Sequence, residues 1–247
     1  MQWRIDRREV TGSTNEDAAL AGERGEAAGY VCAADCQTAG RGRLGRQWFS
    51  PKGRGLYVSV LVRPRIPPEA AGLLSFCAAE AMTLAVRGSG LAEAGIKWPN
   101  DVVCRGKKIC GILSACRQEN GVLSFAVIGS GLNLFPGSYP EELGDRASCL
   151  AEMGVRPDRE RLLSDYLSAL DASLSDLEQK GPESLIRRVS ALCLTLNRPV
   201  RVSGGMELTG VARTIGPGGE LMVETPDGAL LPVLAGDVSV RGLMGYC

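Results

Sequence analysis

The chain contains no histidine, and this absence excludes several kinds of chemistry. Its 247 residues include nine cysteines but not one imidazole. A Ser-His-Asp triad, a Cys-His pair and a histidine general base are therefore excluded. The cysteines are irregularly spaced and form no CxxC, which argues against a structural zinc site. We expect free, partly buried thiols, and we expect charged chemistry to use lysine, arginine, aspartate or glutamate.

The composition also offers little attraction to nucleic acid or membrane. Lysine and arginine number 28, aspartate and glutamate number 28, and aromatic residues make up only 5%. Binding of an anion must therefore depend on a local patch. The N-terminal segment MQWRIDRREV has no apolar signal-peptide core, and we expect no apolar run long enough to span a bilayer. These features predict a cytoplasmic protein that binds neither DNA nor membrane.

The pattern of apolar segments and turns predicts an α/β domain followed by a small barrel. Short β-branched and apolar segments predict strands at 29–35, 56–62, 96–98, 102–104, 109–115 and 122–128. Arg105–Gly106–Lys107 has the composition of a hairpin turn. Apolar periodicity and helix-start signals predict helices at 70–86, 158–178 and 183–194. After residue 195 the alternating strands are separated by glycines, so we expect domains of residues 1–195 and 196–247, the second a β-barrel.

The segment from Gln37 to Trp48 is rich in glycine and arginine. Gly40, Gly42 and Gly45 have dinucleotide-fingerprint spacing, but a strand follows instead of a helix, and no acid stands about 20 residues later. Glycine N–H groups and guanidinium forks suit an anionic ligand, although a solvated charged loop or a nucleic-acid contact remains open. Between Cys36 and Pro68 the only charged residues are basic: Arg41, Arg43, Arg46, Lys52, Arg54, Arg63 and Arg65.

Three further segments carry polar groups near the ends of predicted elements. Lys97-Trp-Pro-Asn-Asp101 forms a turn between strands, and the Lys107–Lys108 pair adds ammonium groups on the adjoining hairpin. Gly111 would let a ligand lie against its strand, whereas Trp98 alone is typical of a core residue. The Gly129–Asn133 segment is either a ligand contact or a strand-ending turn. Gly12–Glu16 predicts a helix start with a capping box, in which Ser13 accepts the Glu16 N–H.

Together these segments resemble the bacterial biotin–protein ligase family over nearly the whole chain. GRGRLGRQW resembles its biotin and adenylate loop, KWPND with KKICGIL its central motif, and GSGLN its later glycine turn. STN resembles the N-terminal biotin contact and AGDVSVRG the end of the C-terminal barrel. The resemblance implies a mixed, largely antiparallel sheet flanked by helices, of the class II synthetase or biotin ligase type, with an SH3-like barrel. Because STN begins at Ser13, it also implies a monofunctional member without a DNA-binding domain. Gly12 departs from the family, which often has an acid there.

The resemblance implies a two-step reaction. The carboxylate of biotin attacks the α-phosphate of ATP, which gives biotinyl-AMP and pyrophosphate. A lysine on the biotin-carrier domain of a carboxylase then attacks the anhydride and releases AMP. We expect Mg²⁺ to be held mainly through the nucleotide phosphates, with no protein metal site. A homodimer is a further possibility that the resemblance leaves open.

The resemblance also assigns roles to residues. Lys108, Arg43 and Lys97 are the expected catalytic cations. Ser13, Thr14 and Gln37 are expected to bind the ureido ring, while Asn100 and Asp101 would organise the metal or the incoming lysine. Trp48 packs over the ligand or in the core. The expected ligand-binding residues are Ser13, Thr14, Asn15, Gln37, Gly40, Arg41, Gly42, Arg43, Arg46, Trp48, Asn100, Asp101, Lys108, Gly111, Gly129, Gly131 and Asn133.

Three alternatives remain at this point. A lipoate–protein ligase would share the fold and the chemistry. A nucleic-acid-binding module would use the basic loop and would bind in a salt-dependent way. An inactive paralogue would keep the motifs without the activity.

Overall fold

A seven-stranded sheet forms the larger part of the molecule. A computed structural model describes the backbone of residues 1–235 and 238–242 and the side chains of residues 1–235. The strand order is β1-β2-β3-β7-β6-β5-β4. Only the β1–β2 pair is parallel and the other pairs are antiparallel, which confirms the mixed, largely antiparallel sheet. The strands are β1 (Arg4–Thr11), β2 (Tyr30–Gln37), β3 (Gly55–Val62), β4 (Gly95–Lys97), β5 (Asp101–Cys104), β6 (Lys107–Glu119) and β7 (Val122–Asn133).

Helices cover both faces of this sheet. The helices are α1 (Thr14–Glu23), α2 (Leu74–Gly88), α3 (Arg159–Lys180) and α4 (Pro182–Leu192). In β2, Val31 belongs to the large core that contains α2 and α3, whereas Cys32 belongs to a smaller core with Ala18 of α1. This alternation follows from the two-residue period of a strand. Asp158 caps α3 by accepting the Arg161 N–H at 3.1 Å, as the sequence predicts.

The most apolar helical segment is Pro68–Gly88. It has 21 residues and a mean hydropathy of 1.4, so by length and composition it could span a bilayer. The expectation that no such run exists is therefore wrong. In the structure 67% of its apolar window is buried, and side chains such as Leu74 and Met82 belong to the large core. Packing against the sheet and α3 accounts for this composition.

A second, five-stranded sheet follows α4. Its order is β11-β10-β9-β8-β12, and every pair is antiparallel, in agreement with the expected SH3-like barrel. The division at residue 195 stays a prediction. Residues 236 and 237 of the AGDVSVRG motif lie outside the described residues. Residues 243–247, which follow the motif, also lie outside them. The strands are β8 (Pro199–Gly204), β9 (Leu208–Ile215), β10 (Leu221–Glu224), β11 (Leu230–Val233) and β12 (Val238–Gly242).

Trp98 joins the two sheets. Its indole N–H donates to the carbonyl of Gly219, in the β9–β10 turn, at 3.0 Å. Gly219 lies so close to Leu73 and Phe76 that an added Cβ would be 3.2 and 3.1 Å from their side chains. Trp98 is only 2% exposed. The turn that carries Lys97 and Asn100 is therefore attached to the smaller sheet through a buried ring, because a tryptophan in a core needs a partner for its N–H.

Two local features differ from the sequence-based prediction, and one agrees with it. The edge strand β1 is absent from the prediction, because RIDRREVT is mostly polar and its side chains are largely exposed. Gly129–Asn133 is the buried end of strand β7, so the alternative prediction of a strand-ending turn at this segment is wrong. The hairpin at Arg105–Gly106 is confirmed, with φ values of 49° and 75°. Two positive φ angles are what a two-residue turn needs to match the twist of β5 and β6.

Candidate active site

A cleft of about 850 Å³ brings the motifs together. Its walls come from the start of α1, the glycine-rich segment, the β4–β5 turn, the middle of β6, the end of β7 and residues 138–147. The expected site residues that line it are Ser13, Thr14, Asn15, Gln37, Arg41, Gly42, Arg43, Arg46, Trp48, Lys97, Asn100, Asp101, Lys108, Gly111, Gly129, Gly131 and Asn133.

Gly40 is the expected site residue that does not line the cleft. A Cβ added to Gly40 would lie 2.4 Å from the Trp48 carbonyl oxygen and 2.8 Å from the Ser50 hydroxyl. The residue must therefore be glycine for the chain to approach itself closely. Its contribution is to the shape of the loop.

The glycine-rich segment is a small hairpin. Arg41 and Gln47 form an antiparallel bridge. The Trp48 N–H donates to the Gly40 carbonyl at 2.9 Å, and the Gly42 N–H donates to the Arg46 carbonyl at 2.7 Å. The chain reverses at Leu44 and Gly45, where φ is 56° and 71°. A tight turn therefore forms the tip of this loop between β2 and β3.

Trp48 lies over two glycines of the central strands. A Cβ at Gly131 of β7 would stand 2.3 Å from the indole nitrogen, and one at Gly111 of β6 would stand 2.9 Å from the ring. Any larger residue at either position would displace the indole. Trp48 is half-buried and belongs to the cleft wall, not to the core.

The expected catalytic cations Lys97, Lys108 and Arg43 all line the cleft, as does Asp101. The Lys108 ammonium lies 2.6 Å from the Asp101 carboxylate and 5.1 Å from the Trp48 ring centroid, and Lys97 is only 7% exposed. The Arg43 guanidinium donates to the Asn100 side-chain oxygen at 3.1 Å and also to the Ala235 carbonyl. Burial lowers the pKa of Arg43, although the nearby Asp101 charge opposes this effect. A desolvated guanidinium interacts more strongly with an anion than an exposed one does.

The seven basic residues of the 36–68 stretch separate in the structure. Only Arg41, Arg43 and Arg46 line the cleft. Arg41 forms an exposed ion pair with Glu16 of α1. Arg63 instead donates to the carbonyls of Gly22 and Glu26 at 3.1 and 3.0 Å, where it satisfies the end of α1. A charge count along the chain does not distinguish these roles.

The start of α1 is held by a residue from β2. Ser13 is the N-cap but makes no side-chain capping bond, so the expected capping box is wrong. The Thr14 N–H donates to Gln37 Oε1 at 2.9 Å, and the Thr14 hydroxyl lies 3.0 Å from the same oxygen. Gln37 thus satisfies a helix N–H that has no intrahelical partner. The Ser13 side chain is buried at the cleft wall, only 2% exposed.

Two buried serines that the sequence analysis missed extend this network. Gln37 Nε2 donates to the Ser50 hydroxyl at 2.9 Å. The Ser59 hydroxyl on β3 lies 2.7 Å from the Thr14 hydroxyl and also contacts Asn15 Oδ1. A Cβ at Gly129 would stand 1.9 Å from Asn15 Oδ1, so that glycine provides the space for the Asn15 amide. No local pattern identifies these serines, because their partners are distant in sequence.

Residues 138–147 form a cleft wall that the sequence analysis also missed. The Lys108 N–H donates to the Arg146 carbonyl at 2.8 Å, and the Lys107 ammonium donates to the Gly144 carbonyl at 2.6 Å. Asn133 Oδ1 and the Ser138 hydroxyl are buried and have no hydrogen-bond partner among the described residues. Buried polar atoms are normally paired. These two atoms are therefore available to a ligand.

The cysteines and acids do not form a metal centre within the described residues. Among the described residues, no group of three or more cysteine, aspartate or glutamate side chains is placed to hold a metal ion. The eight described cysteines are free thiols, as expected, and most of them are buried. Burial raises the pKa of Cys32 to about 12. A thiol of this kind is protonated near neutral pH and is a poor nucleophile.

Comparison with known proteins identifies the family. The family model described as "Biotin/lipoate A/B protein ligase family" matches residues 9–133, and the one described as "Biotin protein ligase C terminal domain" matches residues 195–241. A biotin--[acetyl-CoA-carboxylase] ligase of Mycobacterium tuberculosis is 39% identical over 245 residues, covering 96% of this chain and 89% of that protein. The bifunctional ligase/repressor BirA of Escherichia coli is 35% identical over 215 residues, covering 86% of this chain and 67% of that protein.

A solved structure agrees with these relatives. The biotin protein ligase from Aquifex aeolicus in complex with biotin and ATP aligns with a TM-score of 0.80 and 29% identity. The alignment covers 97% of this chain and 99% of that one. The fold, the cleft and the matched segments thus define the biotin/lipoate class of protein ligases. Within that class, the chain belongs to the biotin protein ligase family.

Proposed function

We propose that this protein is an ATP-dependent ligase that forms biotinyl-5'-AMP and transfers biotin to a lysine of a biotin-carrier protein. The observation that carries the proposal is the position of Lys108. Its ammonium lies in the cleft between the Asp101 carboxylate and the Trp48 ring. The homologues named as biotin ligases and the Aquifex aeolicus complex with biotin and ATP support the same activity.

The barrier in the first step is the approach of two anions, a carboxylate and a phosphate. Fixed cations lower this barrier without any enzyme nucleophile or histidine. Lys108 would stabilise the charge that develops between the biotin carboxylate and the α-phosphate. Arg43 would hold the phosphate, and Lys97 would add positive charge at the buried side of the cleft. Trp48 would shield the reacting groups, because its ring covers the glycines of β6 and β7.

The second step needs an amine from another protein. The carrier lysine would attack the mixed anhydride carbon and release AMP, whose phosphate keeps the electrons of the broken bond. Asn100 and Asp101 lie beside Arg43 and Lys108 and would orient the incoming amine. The family relationship supports the biotin-carrier domain of a carboxylase as the acceptor, since the relative from M. tuberculosis is named for acetyl-CoA carboxylase.

Mg²⁺ would accompany the nucleotide. The carboxylates that line the cleft include Asp101 and Asp145, and Asp101 is paired with Lys108. This donor set suits an ion held mainly through phosphate oxygens, with few direct protein ligands. The ion would neutralise phosphate charge when it is bound. The use of ATP and the free thiols support a cytoplasmic location.

The test is biotin-dependent exchange of labelled pyrophosphate into ATP. Wild-type protein should catalyse exchange with biotin and not with lipoic acid, and it should then label a purified carrier domain. Exchange driven equally by lipoic acid would reject the biotin assignment. Salt-dependent binding to DNA or RNA without any exchange would favour the nucleic-acid alternative.

A further inference from the structure

The cleft has two ends that lie along β7. Gly129, Gly131 and Asn133 share one face of this strand, and about 13 Å separates the first from the last. Gly129 lies against Asn15 at the start of α1. Asn133 Nδ2 donates at 3.0 Å to the carbonyl of Ser148, the residue that follows the cleft wall. One end of the cleft is therefore at α1 and the other is at this wall.

Lys108 lies between the two ends. Its ammonium would be 3.0 Å from a Cβ added to Gly111, and Gly111 pairs with Gly131 in the register of β6 and β7. By the proposed function, the biotin carboxylate and the α-phosphate meet at this ammonium, while Thr14 and Gln37 bind the ureido ring at the α1 end. The nucleoside must then extend toward the cleft wall. The inference below rests on the proposed function in this respect.

The second half of the wall, residues 143–147, is attached to β6 through its backbone. The Lys108 N–H donates to the Arg146 carbonyl at 2.8 Å, and the Ser148 N–H donates to the Lys108 carbonyl at 3.0 Å. These bonds form a short parallel bridge between Lys108 and Ala147. Main-chain bonds of this kind do not depend on the identity of any side chain in the wall.

The first half of the wall, residues 138–142, is attached in another way. Its backbone hydrogen bonds among the described residues join positions three apart, so they form local turns and not a link to the sheet. Its one side-chain hydrogen bond within the described part of the chain runs from the Tyr139 hydroxyl to Glu152 Oε2, at 2.6 Å. Glu152 does not line the cleft, whereas Tyr139 does.

Glu152 is itself held in place by the end of β7. The N–H groups of Leu150 and Ala151 donate to carbonyls at the end of this strand, at 3.1 and 3.0 Å. Glu152 Oε2 also accepts from the Ser148 hydroxyl at 2.8 Å and from the Cys149 N–H at 3.3 Å. A single carboxylate therefore contacts both the beginning of the wall and the residues that follow its end.

The protonation states of the pair suit this contact. Burial alone would raise the pKa of Glu152, but hydrogen bonds from Tyr139, Ser148 and Cys149 lower it below its usual value. Burial and the neighbouring carboxylate raise the pKa of Tyr139 to about 12. The carboxylate is therefore charged and the phenol is protonated near neutral pH. A hydrogen bond to a charged acceptor is stronger than one between neutral groups.

We propose that Glu152 is a positioning residue for the nucleotide: through Tyr139 it fixes the first half of the wall at the nucleotide end of the cleft. The Ser138 hydroxyl, which precedes Tyr139, is buried, lines the cleft and has no partner among the described residues. Glu152 thus prepares a surface that it does not share. Without this contact, ATP must order the first half of the wall when it binds, which weakens binding.

The main test is Glu152→Gln, which keeps the size of the side chain and removes its charge. We expect KM for ATP in pyrophosphate exchange to rise about fivefold, because a neutral acceptor binds the Tyr139 hydroxyl more weakly. KM for biotin and kcat at saturating substrates should stay within about twofold of wild type, since the α1 end and the cations are unchanged. Glu178→Gln is the matched control, because Glu178 accepts the Arg65 N–H on the exposed side of α3, outside the cleft.

A double-mutant cycle tests whether Tyr139 acts through Glu152. Tyr139→Phe removes the same bond completely, so KM for ATP should rise about tenfold. The double variant should resemble Tyr139→Phe alone, because both substitutions remove one interaction. Tyr30→Phe is the control, since the Tyr30 hydroxyl donates to the Asp6 carboxylate at 2.7 Å and lies outside the cleft. Effects that simply add would contradict the inference.

Amide hydrogen exchange follows the wall without any turnover. The Leu143 N–H donates to the Pro140 carbonyl at 3.0 Å, in the turn where the two halves of the wall meet. We expect its hydrogen exchange to rise about fivefold in Glu152→Gln, because the first half of the wall loses its attachment. The amides of Lys108 and Ser148 should exchange as in wild type, since their backbone bonds remain.

The outcomes are distinguishable. A wild-type KM for ATP in Glu152→Gln would overturn the inference, and so would an equal rise in the KM values of ATP and biotin. If Glu152→Gln does not fold, Tyr139→Phe decides: KM for ATP and hydrogen exchange at Leu143 must both rise, and constancy of either rejects the role of Glu152. Failure of wild-type protein to catalyse any biotin-dependent pyrophosphate exchange would instead reject the proposed function. Hydrogen exchange at Leu143 would still show whether Glu152 holds the wall.

Discussion

The ammonium of Lys108 lies 2.6 Å from the Asp101 carboxylate and 5.1 Å from the centroid of the Trp48 ring. The β5–β6 hairpin produces this arrangement, because Asp101 pairs with Gly111 in its register while Lys108 follows the turn. A lysine held between a carboxylate and an aromatic ring has few conformations to lose when an anion arrives.

Replacement of Lys108 by alanine should remove the main cation of the adenylation step. We expect a loss of about 2–4 kcal/mol of transition-state stabilisation, a hundredfold or more in rate, with a smaller effect on biotin binding without ATP. Pyrophosphate exchange measures the rate, and Lys107→Ala is the charge-matched control. The Lys107 ammonium donates to the Gly144 carbonyl and does not line the cleft. Unaltered exchange in Lys108→Ala would remove this residue from catalysis.

Replacement of Arg43 by glycine should release the intermediate. The guanidinium joins Asn100 to the Ala235 carbonyl, so its loss both removes a phosphate contact and separates the hairpin from the smaller sheet. We expect the off-rate of biotinyl-AMP to rise more than its formation slows, because a closed site protects a reactive anhydride.

Escaped anhydride should label bystander lysines. The measurement mixes Arg43→Gly, ATP and biotin with serum albumin and follows labelling on a streptavidin blot. Arg54→Gly is the control, since Arg54 belongs to the same basic stretch but does not line the cleft. If albumin remains unlabelled while adenylate still forms, Arg43 does not retain the intermediate.

The attachment of the smaller sheet through Trp98 predicts that it is required for activity. A chain ending at Leu196 should lose turnover even where it stays soluble, because Trp98 loses its Gly219 partner. Trp98→Phe is the milder variant, which keeps an aromatic ring and loses the N–H bond. We expect reduced kcat/KM in this variant and a fall in stability of about 1–3 kcal/mol from the unpaired carbonyl. Full activity of the shortened chain would show that the smaller sheet is dispensable.

Asp176 of α3 contacts Ser184 and Arg188 of α4, and these contacts predict that the fold becomes less stable in acid. Hydrogen bonds from Lys180 and Ser184, with the nearby Arg188 charge, hold the pKa of Asp176 well below its usual range. A carboxyl with a lowered folded-state pKa stabilises the fold above its unfolded pKa of about 4, and this contribution is lost as pH falls further.

Thermal unfolding measured over a pH series tests this contribution. Asp176→Asn should be less stable than wild type near neutral pH, and the difference should shrink as pH drops below about 4. Asp165→Asn is the control on the same helix. The distance between the Arg161 and Asp165 side chains is 3.7 Å, longer than the 2.5 Å between Lys180 and Asp176, and both side chains of the Arg161–Asp165 pair are exposed. A constant difference at every pH would contradict the assignment.

Local signals in the sequence predicted several elements correctly. Arg105–Gly106 predicted a turn because glycine adopts positive φ readily, and Asp158 predicted the start of α3 because its carboxylate caps a helix. The resemblance of the ligand-binding motifs to one family implied a common ligand-binding site, and the cleft contains residues of each of these motifs. The polar strand β1 was not predictable in this way, because a solvent-exposed edge strand has a weak apolar pattern.

By itself, the sequence determined the chemistry that is available: cations and carboxylates without histidine, placed in motifs that resemble a biotin ligase. Only the tertiary structure decided which of seven basic residues line the cleft and that Gln37 rather than Ser13 satisfies the start of α1. It also decided that the buried Ser59 hydroxyl contacts Thr14 and Asn15. Thr14 and Gln37 are 23 positions apart, and Asn15 and Leu113 are 98 apart. Hydrogen-bond partners at such separations are chosen by strand pairing and packing, and a local sequence pattern contains no information about them.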